Sequence, residues 1–327
     1  MTTIVTGARL PHTLHIVSGK GGTGKTTMAA ALACALAVNG RRVLVCEVEG
    51  RAGIAELFGV SALRGPEERR LIRTPAGGQV FGLSIDAEDA LLEYLETFYH
   101  LRIAGRALDR FGAIDFATSI APGLRDVLLT GKVYEAVRRG VKNRPNAYDA
   151  VVVDAPPTGR IAQFLNVHDA VAGLARVGPI RSQADSIMTV LRSEQTIVHL
   201  VTLLEDMPVT ETEEAIAALR PTKIVVGSVI ANRITPPMLT QADLRAAVRG
   251  RLSVSVPELS EADNTLLTAE LSEDAARIDL QRECHAKIDG LGLPVVEIAY
   301  DPAGIDTNSL LVIAASLADQ LPHEVSR

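Results

Sequence analysis

"HIVSGKGGTGKTTMAAALACALAVNG", His15 to Gly40, decides the fold. A short apolar strand, "TLHIVS", runs into "GKGGTGKT", Gly19 to Thr26, which fits the spacing G-x-x-x-x-G-K-[ST]. An apolar helix follows from Thr26 to Val38, with Asn39–Gly40 as its cap. Strand, glycine-rich loop and helix form the setting in which this spacing binds phosphate. Gly19, Gly21, Gly22, Thr23 and Gly24 let backbone N–H groups wrap around phosphate oxygens. The helix start at Lys25, Thr26 and Thr27 adds positive potential. Lys25 is expected on the β- and γ-phosphates and Thr26 on Mg²⁺, so the expected ligand is a magnesium-bound nucleoside triphosphate. The loop also holds Lys20, a cation that phosphate binding in cis does not need.

Outward from the loop, strands alternate with helices. "RRVLVCEVE", "QVFGLSI", "YDAVVVDAPPTGR", "TIVHLVTLL", "KIVVGSVIANR" and "LPVVEIAY" read as strands, and "LLVIAASLADQL" as a closing helix. Helical periodicity dominates about 86–142 and 161–195, and 235–290 reads as polar and helical. The fold class is therefore α/β: a P-loop NTPase with a doubly wound, mostly parallel sheet. Residues 1–13 read as a leader and 14–327 as one domain, with the insertions at 86–142 and 161–195 expected to form a helical subdomain. Asp154 ends a buried strand, the place from which a carboxylate reaches Mg²⁺ directly or through water. The stripe Leu91, Leu95, Phe98, Leu101 and Ile103 reads first as core, and alternatively as a wall for a hydrophobic client.

Composition excludes several classes. The net charge is −6, aromatics are 3% and Trp is absent, which argues against nucleic acid as a partner. "MAAALACALAV" is the longest apolar run and is too short to span a bilayer, so no stable membrane insertion is expected. Cys34, Cys46 and Cys284 are scattered, which fits reduced thiols in a cytoplasmic protein.

The second lysine in "GKGGTGKTT" resembles the deviant loop of the dimerising P-loop ATPases. The resemblance implies that Lys20 crosses a dimer to the partner's nucleotide, in the manner of an arginine finger. Across roughly 14–320 the chain resembles the arsenical-pump and tail-anchored-protein-targeting branch. "DAPPTGR", Asp154 to Arg160, is similar to its switch II pattern D-x-A-P-T-G-H. "APGLRDVLLTGKVYEAV", Ala121 to Val137, resembles its P-G-x-x-E segment, and "VIANR" its strand ending in V-x-N, which makes Asn232 the implied adenine-recognising residue. The likeness is greatest to paired bacterial anion-transporter-type ATPases, which associate as paralogues. It implies an ATP hydrolase, with ATP and Mg²⁺, working as a dimeric switch that couples the nucleotide to membrane transport or client handling. A heterodimer with a paralogue is the first expectation and a homodimer the second.

The chain also departs from that pattern. Switch I reads "EVEGRAG", Glu47 to Gly53, where the branch has D-x-D-P-A-H. Glu49 takes the place of the water-positioning Asp, and its extra methylene shifts the carboxylate by about 1 Å, enough to slow hydrolysis. Lys20, Lys25, Glu49 and Asp154 are thus the expected catalytic set. The branch's CxxC zinc clamp and its arsenite-binding cysteine cluster are absent. A catalytically weak ATP-binding partner of a paralogous ATPase is the alternative. A Min/Par-type positioning ATPase fits less well, because those chains are shorter and "LADQLPHEVSR" is not a basic amphipathic helix.

Overall fold

A computed structural model describes residues 13–48, 52–63, 65, 67–99, 122–141, 147–167 and 179–321. The chain opens on β1 (Leu14–Gly19), α1 (Lys25–Leu36), β2 (Arg42–Glu47), the short α2 (Gly53–Leu57), β3 (Arg69–Arg73) and β4 (Gln79–Ser84). Two long helices follow, α3 (Ala87–Tyr99) and α4 (Pro122–Val141), then β5 (Ala150–Asp154), α5 (Thr158–Leu165) and α6 (Pro179–Leu191). The last part runs β6 (Thr196–Leu203), α7 (Asp206–Leu219), β7 (Val226–Ile234), α8 (Gln241–Val248), α9 (Glu261–Asp289), β8 (Val295–Ala299) and α10 (Thr307–Gln320).

The strands form one sheet in the order β3-β4-β2-β5-β1-β6-β7-β8. Every pairing is parallel except that of β3 with β4. From β1 the chain builds outward on one side with β2, β5 and β4, and on the other with β6, β7 and β8. The loop after β1 therefore sits where the winding reverses, the usual ligand crevice of such sheets.

Alternation along each strand feeds two cores. Leu14, Ile16, Leu44, Cys46, Val151 and Val153 point to one face, and Val17, Val43, Val45 and Val152 to the other. The first face is covered by α4, α5, α6 and α7, with Val127, Leu129, Phe164 and Ile187 packed among the strand residues. So the described helices of both insertions share the core of the sheet. Leu91 of the predicted stripe is buried. Leu101 and Ile103, and the side chains of Leu95 and Phe98, lie outside the described residues.

On the second face, α1 lies between the sheet and α10. Ala29, Ala30, Ala31 and Ala33 are fully buried, and their small size lets α1 approach the strands on one side and Leu310, Ile313 and Leu317 on the other. The helix ends at Leu36 rather than Val38, and Asn39 and Gly40 (φ 50° and 82°) make the left-handed turn into β2 instead of capping it. The sheet interior carries one polar chain, in which His15 Nδ1 lies 3.3 Å from His199 Nε2 and His199 Nδ1 lies 2.7 Å from Ser228 Oγ. It gives these buried groups partners across β1, β6 and β7.

Three elements were not expected from the sequence. They are β3, an antiparallel edge strand whose "RRLIR" carries three charges, the five-residue α2, and α7, whose "DMPVTETEEAIAAL" buries Val209, Thr212, Ile216 and Leu219 on one face. The polar 235–290 stretch resolves into α8 and the 29-residue α9, joined by a small core of Leu244, Ala247, Ala275 and Ile278.

Candidate nucleotide site

The loop leaves the sheet at Gly19. A Cβ there would lie 2.2 Å from the Val201 carbonyl oxygen of β6, so only glycine permits the turn at that point. The carbonyl of Lys20 then organises the loop. It accepts from the Thr23 N–H at 3.3 Å, the Thr23 hydroxyl at 2.8 Å and the Lys25 ammonium at 3.4 Å. Lys25 is thereby buried with its charge turned into the cradle, where phosphate oxygens are stronger acceptors than a carbonyl. Gly24, at φ 93°, starts α1, whose N-terminus has no side-chain cap and no acid in its first turn. Its first N–H groups are oriented for an anion. A Cβ on Gly24 would lie 2.4 Å from Asn232 Nδ2, so the loop and β7 touch through a position that cannot carry a side chain.

The oxygen donors sit beneath the loop. The Thr26 hydroxyl donates to Asp154 Oδ2 at 2.7 Å. Asp154 ends β5 and pairs in register with Glu47, which ends β2. Glu47 is 2% exposed and accepts the Gly53 N–H at 2.9 Å, drawing the start of α2 toward Thr26. A hydroxyl and two carboxylates make an all-oxygen set, the donor chemistry Mg²⁺ selects, and in the loop above it Gly19 and Gly24 leave no room for a Cβ; the residues fit Mg·nucleotide. Glu47 was missed from the sequence although it carries the same signal as Asp154, an acid closing a buried strand. Glu49 lies outside the described residues. Ala52, three residues further on in the sequence, adopts φ 56°, a left-handed conformation costing a non-glycine residue about 1 kcal/mol or more.

Two further groups frame the loop. Ser18 Oγ donates to the Pro156 carbonyl at 2.7 Å and the Ala155 N–H to Val17 O at 2.9 Å, so the segment after Asp154 is held against the end of β1. On the β7 side, Asn232 Nδ2 donates to Thr23 O at 2.8 Å and its Oδ1 accepts the Arg233 N–H at 2.9 Å. Asn232 opens onto a cleft of about 310 Å³ lined by Thr27, Arg233, Tyr300, Pro302 and Ile305 among others. With one donor and one acceptor engaged, its amide retains one of each for a ligand.

Lys20 turns away from the cradle. Its Nζ lies 2.7 Å from Glu211 Oε1 on α7, and the Thr158 hydroxyl donates to Glu211 Oε2 at 3.0 Å. The Lys20 ammonium, hydrogen-bonded to it, holds the Glu211 carboxyl below the usual carboxylate range. Two residues further along α5 from Thr158, Arg160 approaches Asp126 of α4 at 3.5 Å, and Asp126 is 1% exposed. Neither acid partner was singled out in the sequence. The three cysteines are buried and free, and burial pushes the Cys34 thiol up to about 12, which keeps it protonated.

A sheet with its glycine loop at the winding reversal, an ammonium turned into that loop and a Thr–Asp oxygen pair beneath it define a P-loop nucleotide-binding protein. Residues 12–192, more than half of the chain, match the anion-transporting ATPase family, and the chain belongs to that family. It is similar to the ATPase BagA of Mycobacterium tuberculosis, 50% identical over 316 residues covering 94% of this chain and 93% of that protein. It is also similar to the ATPase GET3 of Kluyveromyces lactis, 23% identical over 86% of each chain, and to the ATPase ARSA1 of Chlamydomonas reinhardtii, 23% identical over 73% of this chain and 37% of that one. No helix among the described residues is long and apolar enough to cross a membrane.

Proposed function

We propose that the chain binds Mg·ATP in the loop 19–27 and hydrolyses it as one half of a nucleotide-driven dimer. The observation that carries this is the Thr26–Asp154 pair, 2.7 Å apart, directly beneath a loop into which Lys25 is turned. Lys25 and the helix start bind the phosphates. Thr26 and Asp154, with Glu47 in the neighbouring strand, are the residues that would hold Mg²⁺, which when bound would supply positive charge against the phosphoryl oxygens. Asp154 and Glu47 are fixed by their strands, so this half of the site is assembled before ligand arrives. Isothermal titration with Mg·ATP tests the reading. Lys25→Ala should lose about 1.5–3 kcal/mol of affinity, the worth of a charge-assisted phosphate contact, and unchanged affinity would remove the assignment.

Asn232 selects adenine in this reading. Its remaining N–H meets a ring nitrogen and its remaining lone pair the exocyclic amine, whereas guanine presents a carbonyl and an N–H in the reverse order. The wild-type chain should favour ATP over GTP by tenfold or more on a scale of about 1.4 kcal/mol per decade. Asn232→Ala should collapse that ratio in competition binding, while a wild-type chain that holds both nucleotides equally would refute the role.

Lys20 serves a partner's nucleotide, and the partner is a paralogous subunit first and a second copy of this chain otherwise. Glu49 makes hydrolysis on this subunit slow, because a longer carboxylate misplaces the attacking water. The nucleotide state reaches the helices over the sheet through α5, where Arg160 meets the buried Asp126 of α4. That link is the route by which a transport or client-handling process is driven. The three buried, unpaired thiols suit work in the reducing cytoplasm.

A further inference from the structure

The side chains of Lys20, Glu211 and Thr158 form a triad apart from the groups assigned to the nucleotide in cis. Both oxygens of Glu211 are used, one on the phosphate-loop lysine at 2.7 Å and the other on Thr158 at 3.0 Å, the first residue of α5. The two partners belong to different segments of the machinery. Lys20 opens the phosphate loop, and Thr158 closes the "DAPPT" segment that leaves the metal-site Asp154. Thr158 is 5% exposed and its hydroxyl is engaged by Glu211, and Val209, Thr212 and Ile216 beside Glu211 are buried, so the helix bearing Glu211 is anchored by packing too. The side chains of Lys20 and Glu211 are each 29% exposed. The pair is thus at the rim, where it opens without stranding a charge in a dry interior, unlike a fully buried ion pair.

We propose that Glu211 is a positioning residue for the ATPase: its carboxylate holds Lys20 on its own subunit and ties it to Thr158, so that Lys20 reaches a partner's nucleotide only as this pair opens. This rests on Lys20 acting in trans. An anionic phosphate on the partner competes for the ammonium against Glu211, and once Lys20 leaves, the Glu211 carboxylate keeps Thr158 as its only ligand of the two. Dimerisation is then coupled to the backbone that follows Asp154 through one side chain. Glu211 also sets a threshold, since a partner without bound nucleotide offers Lys20 no better acceptor than the one it has.

Two measurements on the full chain test this. The first is the rate of Lys20 amine labelling, read by mass spectrometry against Lys223, a fully surface-placed lysine, as internal reference. Glu211→Gln keeps an acceptor for Thr158 but loses the charge on Lys20, and should raise Lys20 labelling about two- to fivefold, the range of a partly exposed ion pair. The second is self-association with Mg·AMPPNP by analytical ultracentrifugation. Glu211→Gln should shift the midpoint to lower protein concentration by about two- to fivefold per subunit, and the shift should vanish in the Lys20→Ala background. If Lys20→Ala changes association and Glu211→Gln changes neither readout, Glu211 is an ordinary surface acid and the trans reading stands. If Glu211→Gln weakens association, Glu211 acts in the assembled state and the holding role is overturned. If Lys20→Ala changes nothing, or the wild-type chain does not associate, the trans reading fails for two copies of this chain. Labelling alone then decides whether Glu211 holds Lys20, and unchanged labelling overturns it.

Discussion

Lys20→Ala should leave Mg·ATP affinity nearly intact and lower turnover of the assembled enzyme by about 10³-fold, the scale on which a cation supplied across an interface accelerates phosphoryl transfer. The two halves of this expectation come from different parts of the structure. Affinity is set by Lys25, whose ammonium is turned into the loop, and by the uncapped start of α1. The Lys20 side chain faces the other way and meets Glu211. Only the carbonyl of Lys20 shapes the loop, and alanine keeps a carbonyl, so the Thr23 and Lys25 contacts to it survive the substitution. The Glu211 carboxylate left behind is 29% exposed and hydrated by solvent, so the fold bears little cost. Equilibrium titration and steady-state turnover, the latter with the partner subunit present, separate the two quantities. A loss confined to affinity would make Lys20 a cis ligand, and turnover unchanged in both arms would make it a surface residue.

How much of this was legible in the sequence depends on the range of the interaction. The loop, the strand before it and the helix after it are local, and "GKGGTGKT" carries all three. Asp154 was legible because a run of Val ending in an acid marks a buried strand that stops at the ligand end of a parallel sheet. Glu47 ends β2 on the same grounds and was passed over because attention went to Glu49, two residues on, through the family pattern. Glu211 gave no signal. It is one of several acids in "TETEEA", and its significance is a contact with a residue 191 positions earlier, created by α7 packing beside α5. Asp126 was hidden in the same way, since nothing in "GLRDV" shows that its carboxylate is buried against Arg160. β3 was missed because strand signals weaken at an edge: "RRLIR" is charged where interior strands are apolar, which suits an edge that must not pair with another chain.

Asp154→Asn should lower turnover by about 10²-fold or more, because a metal held at the transferred phosphoryl group is worth several kcal/mol of transition-state stabilisation. Asparagine keeps the shape and still accepts from the Thr26 hydroxyl, so the 2.7 Å contact and the packing of β5 between β1 and β2 are preserved. What is lost is the negative charge, and with it most of the reason for Mg²⁺ to sit there. Glu47 does not replace it, because one of its oxygens already holds the Gly53 N–H and its backbone is fixed one strand away. The Mg²⁺ concentration that half-saturates nucleotide binding should rise by about 10–100-fold, while binding of ATP without metal, which depends on Lys25 and the loop, should change little or improve as a repelling charge is removed. Titrating Mg²⁺ at fixed ATP, with calorimetry for binding and phosphate release for turnover, gives both numbers on one sample. Should the Mg²⁺ midpoint stay where it is, Asp154 does not face the metal, and its contact to Thr26 would be a device for closing the loop onto β5.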